Sequence, residues 1–89
     1  MKAVITVVGA DRTGILALVA SECAARNCNI LDVSQTIVDG VFTMTMIADM
    51  DGLTESFEAF AEHMEAVGDS NDLAVRVMNR AIFKAMHSI

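Results

Sequence analysis

The fold of this chain is decided by residues 29–49, NILDVSQTIVDGVFTMTMIAD. A segment of alternating residues lies on either side of Asp39-Gly40. In each segment, apolar residues, many of them β-branched, alternate with other residues, which is typical of β-strands. An Asp-Gly pair between two segments of this kind is the strongest short-range signal for a tight hairpin turn. The stretch therefore predicts an antiparallel hairpin with strands over residues 29–39 and 41–49.

Upstream of the hairpin, the sequence predicts a strand followed by a helix. Residues 2–8, KAVITVV, are rich in β-branched side chains and are bounded by Gly9, which is typical of a strand. Over residues 14–26 alanine is abundant and apolar side chains recur at helical spacing. Asn27 follows as a residue that can adopt the left-handed conformation, and we expect it to end the helix.

Downstream of the hairpin, the sequence predicts a second helix, a fourth strand and an amphipathic tail. An apolar stripe from Leu53 to Met64 indicates the helix, which we expect Gly68 to end. Alternation over residues 72–79 indicates the strand. Residues 80–89 have helical spacing, and we expect them to pack against the sheet or against a neighbouring subunit. The apolar side chains of this tail are Ile82, Phe83, Met86 and Ile89.

The order strand, helix, strand, strand, helix, strand is that of the ferredoxin-like split βαβ arrangement, an α+β fold. It places two helices on one face of a four-stranded antiparallel sheet. We expect one domain over residues 1–89, with the core in 1–79 and a short C-terminal helix in 80–89. Apolar residues make up 54% of the chain, above the usual ~45–50%. Because one sheet face is left open, we expect a homo-oligomer, at least a dimer.

Composition and charge argue against several classes of protein. The net charge is −6, and the six basic residues are spread along the chain, so we expect no direct nucleic-acid binding. An acidic surface does not favour anionic membranes, and no apolar run is long enough to span a bilayer. The first residues predict a strand rather than a signal peptide. We therefore expect a cytoplasmic protein without membrane association.

The connection between the first strand and the first helix, GADRTGIL at residues 9–16, allows two interpretations. In the structural one, Asp11 caps the helix by accepting hydrogen bonds from the N–H groups of Thr13 and Gly14. In the functional one, the helix N-terminus binds a carboxylate, and Gly14 leaves room for it. Arg12 then adds a cationic group, and Asp11 accepts from an ammonium group. Such a set of groups suits a free amino acid.

With this topology and length, the loop resembles that of the ACT-domain family. The family's loop commonly has the pattern D-R-x-G followed by an aliphatic residue, which residues 11–15, DRTGI, match, with Thr13 where proline is frequent. The Asn-Ile pair at residues 29–30 matches the opening of the family's second strand. The whole chain resembles the stand-alone bacterial and archaeal ACT-domain proteins. These are similar to half of the glycine cleavage system transcriptional repressor.

The resemblance implies a regulatory module that binds an amino acid or a related small carboxylate at a subunit interface, in control of amino-acid metabolism. It implies no cofactor. The ligand is expected between the first loop and the start of the second strand. The residues implied to bind it are Asp11, Arg12, Thr13, Gly14, Ile15, Asn29, Ile30 and Leu31.

Other functions find less support in the residues. Acylphosphatases share the fold, but this loop is too short to wrap a phosphate and no nucleophile stands beside a base, so we expect no enzyme. Copper chaperones need a C-x-x-C in the first loop, and no cysteine precedes Cys23. Cys23 and Cys28 are expected to be small buried residues, and His63 and His87 have no partner at metal-ligand spacing. The alternative that remains is a structural adaptor, which binds a partner protein through the open sheet face or the tail.

Overall fold

The structure is a computed structural model that describes residues 1–86. These residues contain four strands and three helices. In chain order they are β1 (Lys2–Ala10), α1 (Ile15–Ala25), β2 (Asn29–Val38), β3 (Val41–Asp49), α2 (Phe57–Ser70), β4 (Leu73–Asn79) and α3 (Arg80–Met86). The strands form one antiparallel sheet in the order β2-β3-β1-β4. The predicted ferredoxin-like βαββαβ fold with a short C-terminal helix is confirmed.

The predicted hairpin joins β2 to β3 through Asp39-Gly40. Both residues have positive φ angles, 51° and 76°. A two-residue hairpin turn of this kind needs left-handed conformations at both positions, which aspartate tolerates and glycine adopts freely. The turn sets the register, in which Val38 lies opposite Val41.

The core lies between the sheet and the two long helices. Side chains at alternate positions of β1 and β3 point to one face, where they are buried together with residues of both α1 and α2. Both helices therefore cover the same face, as the fold requires. Among the largest fully buried side chains are Ile5, Ile15, Met44, Met46, Phe60 and Met64.

The predicted ends of the two long helices had different outcomes. Asn27 follows the C-cap residue of α1, Arg26, and adopts a φ of 58°, as predicted. Gly68 does not end α2, which continues to Ser70, so that prediction was wrong. A Cβ atom at Gly68 would lie 2.6 Å from Val75 Cγ2 and 2.7 Å from the carbonyl oxygen of Leu73. Gly68 thus allows α2 to approach β4 closely instead of ending the helix.

The short helix α3 covers one corner of the otherwise open sheet face. It contacts β1 and β4, and Val4, whose side chain lies on that face, is buried. Phe83 is half-buried, whereas Ile82 is 57% exposed. The last part of the predicted tail, residues 87–89, lies outside the described residues.

The sheet has two ends that matter for the candidate site. At one end, called here the turn end, residues 11–14 lie beside the hairpin turn, and the N–H of Asp11 donates to the carbonyl oxygen of Gly40 at 2.8 Å. The opposite end is called the far end. There β1 and β2 begin, and Lys2 and Asn29 both lie opposite Asp49.

Candidate functional site

The loop before α1 presents backbone donors that no side chain caps. The helix begins at Ile15 and its N-cap residue is Gly14, which has a φ of 90° and no side chain. Asp11 stands four residues before the first helical residue, so the predicted cap by Asp11 was wrong. The first N–H groups of a helix need partners and carry partial positive charge, so they can receive a carboxylate here.

Space around the loop is open on the side of Gly14. A Cβ atom built on Gly14 would meet no atom within 4 Å. Residues 11–14 are all exposed, whereas the side chain of Ile15 is buried in the core and anchors the helix. Of the predicted loop residues, Ile15 can therefore offer a ligand only its backbone.

Arg12 is held near the turn between α2 and β4. Its Nη2 donates to Oδ1 of Asn71 at 3.3 Å, and Nδ2 of Asn71 donates to the carbonyl oxygen of Val67 at 2.8 Å. The guanidinium group is thus oriented by one long hydrogen bond and keeps further donors for an anion. The sequence carried no signal for Asn71, because it is 59 residues from Arg12 and comes close only through the fold.

The second predicted half of the site lies at the far end. Asn29 is exposed and Ile30 is half-buried. Leu31 is the extra residue of a β-bulge, since Ile30 lies opposite Ala48 and Asp32 opposite Ile47. At the rise of a β-strand, these residues are about 25–30 Å from the loop of the same chain. One chain does not bring the two halves of the predicted site together.

The strand that connects these two ends is an exposed edge. β2 is the outermost strand on its side of the sheet, and every residue from 31 to 38 is exposed. Such an edge presents unpaired backbone groups that can pair with another strand. Its exposed large apolar side chains are Leu31, Val33, Ile37 and Val38.

A charged cluster lies between α1 and α2, away from the loop. Oε1 of Glu22 accepts from Arg26 Nη1 at 2.9 Å and lies 2.6 Å from Nε2 of His63. Arg26 Nε lies 3.1 Å from a carboxylate oxygen of Glu55. The hydrogen bond to His63, more than its charge and that of Arg26, holds the pKa of Glu22 below its usual range. The cluster joins the two helices, and the role of His63 in it is to bind the carboxylate of Glu22.

Residues 1–86 contain neither a cluster of metal ligands nor a membrane-spanning helix. No group of three or more His, Cys, Asp or Glu side chains in this part of the chain could hold a metal ion. No helix there has the length and apolar character needed to cross a membrane. Cys23 and Cys28 are free and buried, as predicted.

Comparison with known proteins identifies the family. A family model described as the ACT domain matches residues 2–78. The chain belongs to the ACT-domain family. A UPF0237 protein of Listeria monocytogenes is 40% identical over 89 residues, which are 100% of both chains. The solved structure of an ACT domain protein from Streptococcus pneumoniae has a TM-score of 0.82 and 38% identity, with 94% of each chain covered.

A third relative bears on the predicted likeness to a repressor. The solved "putative glycine cleavage system transcriptional repressor" matches this ACT domain with a TM-score of 0.69 and 28% identity. The match covers 85% of this chain and 43% of that one. The predicted similarity to about half of such a protein is confirmed. ACT domains are typically regulatory modules that bind small ligands.

Proposed function

We propose that this ACT domain binds a free amino acid, or a related small carboxylate, between the two subunits of a homodimer and thereby regulates amino-acid metabolism. One observation carries the proposal. The loop at residues 11–14 and the segment at residues 29–31 lie at opposite ends of one sheet, and the exposed edge strand β2 runs from one end to the other.

Pairing of two β2 edges would complete the site. If two copies pair β2 antiparallel about a two-fold axis, the beginning of each strand lies beside the end of the partner's strand. Val38 ends β2 next to the turn that contacts the loop. Asn29 of one subunit would then approach the loop of the other, and the dimer would contain two identical sites. The apolar side chains of β2 give this pairing a hydrophobic contribution.

The loop supplies the chemistry for an amino acid. The uncapped N–H groups at the start of α1 would receive the carboxylate, and Arg12 would add positive charge. The exposed carboxylate of Asp11 would accept from the ammonium group. A ligand that binds only the paired state stabilises that state by mass action, so binding and dimerisation are linked. The free thiols of Cys23 and Cys28 suit the reducing cytoplasm.

The second candidate function is an adaptor that binds a partner protein through the open sheet face. Val8, Val38 and Val41 are exposed large apolar residues, and the register places them on this face at the turn end. Ile82 on α3 is a further exposed apolar residue. In this function the partner would cover the open face, and the loop would need no small ligand.

A pair of matched variants separates the two functions. Ile37 and Ile82 are 58% and 57% exposed, so replacing either by lysine has little effect on the stability of one chain. The proposal expects a dimer by light scattering and a rise in melting temperature with one or a few amino acids in a screen of amino acids and small carboxylates. Ile37→Lys on β2 should give a monomer without that response, whereas Ile82→Lys should behave like the parent chain. A parent chain that is monomeric at tens of micromolar would refute the proposed site.

A further inference from the structure

The fold gathers half of the chain's basic residues around one open cavity at the far end of the sheet. The cavity has a volume of about 410 Å³ and is lined by Met1, Lys2, Asn79, Arg80, Ala81 and Lys84. Three of these are among the six Lys and Arg residues of a chain whose net charge is −6. Lys2 is 78 positions from Arg80 in sequence, so the spread of basic residues along the chain did not reveal this grouping.

The positive charges around the cavity are not neutralised within residues 1–86. Lys2, Arg80 and Lys84 take part in none of the ion pairs found there. Two carboxylates are near: Asp51 pairs with the amino terminus of Met1, and Asp49 accepts a hydrogen bond of 2.9 Å from the N–H of Asp51. Asp49 lies opposite Lys2 across the strands, but the two side chains do not form a salt bridge.

An uncharged donor completes the lining. Oδ1 of Asn79 accepts from the N–H of Ala81 at 2.8 Å, which fixes the amide and leaves its NH₂ group as a donor. The residues that line the cavity thus include one arginine, two lysines and one asparagine. Guanidinium and ammonium groups are the side chains that bind phosphate oxygens. A volume of this size is in the range of small-ligand pockets.

We infer that this cavity binds a compact small-molecule anion with at least two negative charges, of the chemistry of a pyrophosphate or a phosphate ester. The site is separate from the amino-acid loop of the same chain, since it lies at the opposite end of the sheet and between β1, β4 and α3 instead of at β2. The inference therefore does not depend on the proposed function. The domain would then bind two different ligands, an amino acid at the loop and an anion at this cavity.

Calorimetry on the full chain with inorganic pyrophosphate tests the inference. We expect saturable binding that is tighter than that of inorganic phosphate and that weakens as ionic strength rises, because salt screens exposed charges. Arg80→Gln and Lys84→Gln should each weaken binding about tenfold, the usual cost of losing a hydrogen bond to a charged group. Lys84 is exposed, so its variant keeps the fold even if Arg80→Gln does not.

Two control variants separate this site from general charge effects and from the loop. Arg76→Gln removes the same charge from β4 outside the cavity and should leave pyrophosphate affinity within about twofold of the parent value, since the lost charge is screened. Arg12→Gln should do the same. Absence of binding at millimolar pyrophosphate and low ionic strength would overturn the inference, as would equal losses in Arg76→Gln and Lys84→Gln.

Discussion

The backbone N–H of Asp11 donates a hydrogen bond of 2.8 Å to the carbonyl oxygen of Gly40. This bond ties the loop before α1 to the turn that follows β2. In the proposed dimer, the loop binds the ligand and β2 forms the interface, so the bond connects the two directly. A ligand that shifts the loop would therefore change the position of the end of β2. Pairing of the two β2 strands would in return change the position of the loop, so ligand binding and pairing affect each other.

Arg12→Ala should weaken amino-acid binding with little effect on folding. Arg12 is exposed and makes one long hydrogen bond, to Asn71, so its loss should change the free energy of unfolding by less than about 0.5 kcal/mol. The lost cationic group should lower the affinity for the amino acid found in the thermal screen about tenfold. Calorimetry and urea unfolding measure the two effects. Arg76→Ala, on β4, is the matched control, and equal affinities in both variants would place the ligand elsewhere.

Asp11→Ala tests the finding that Asp11 is not the cap of α1. Replacing a true N-cap aspartate by alanine lowers the free energy of unfolding by about 0.5–2 kcal/mol. Because α1 is capped at Gly14 without a side chain, we expect a much smaller change in the free energy of unfolding. Ser56→Ala is the positive control, since the Ser56 hydroxyl accepts from the N–H of Ala59 at the start of α2. A loss as large in Asp11→Ala as in Ser56→Ala would contradict the structure.

Local sequence signals were enough to predict most of the fold. The Asp-Gly turn, the alternation on both sides of it and the left-handed Asn27 each involve neighbouring residues, and each was confirmed. The cap of α1 and the end of α2 were predicted wrongly, because Asp11 and Gly68 have local propensities that tertiary contacts override. Gly68 was predicted to end α2, but it lies within the helix, where the lack of a side chain allows β4 to pack closely.

The candidate site was only partly predictable, for a physical reason of the same kind. The loop motif is contiguous in sequence and could be recognised. Its contact with Asn71, and the distance that separates it from Asn29, depend on strand order and direction. The grouping of Lys2 with Arg80 and Lys84 likewise arises because β1 and β4 are antiparallel neighbours. No pattern of spacing along the chain encodes these relationships.

Gly68→Ala should destabilise the protein although alanine is the better helix former. The added Cβ would lie 2.7 Å from the backbone oxygen of Leu73, and a strand backbone cannot move away cheaply. Overpacking costs about 1–3 kcal/mol, whereas alanine regains about 0.5–1 kcal/mol of helix propensity. We expect a net loss of about 1–2 kcal/mol in urea unfolding. Ala66→Gly on the exposed side of α2 measures the propensity contribution alone. A more stable Gly68→Ala variant would show that α2 does not lie this close to β4.

Glu22 should contribute to the acid sensitivity of folding. Its pKa in the folded state is lowered below the usual 4.5, chiefly by the hydrogen bond with His63. The stability from the ionised carboxylate is therefore fully present above the unfolded-state pKa and is lost as pH falls through the lower, folded-state value. Glu22→Gln should flatten the decline in the free energy of unfolding below pH about 4.5. Glu62→Gln, at an exposed position of α2, is the control and should leave the slope unchanged.

Gly14→Val should abolish amino-acid binding, and Gly40→Val should not. Both glycines have positive φ angles, 90° and 76°, and a Cβ atom on either would meet no atom within 4 Å. Each substitution therefore carries a similar backbone cost, about 1–2 kcal/mol, which melting curves would show. Only at Gly14 does the new side chain stand beside the first N–H groups of α1, where the carboxylate is proposed to bind. Calorimetry with the amino acid found in the screen compares the two variants. Equal affinity in Gly14→Val and Gly40→Val would show that the loop serves only as a turn.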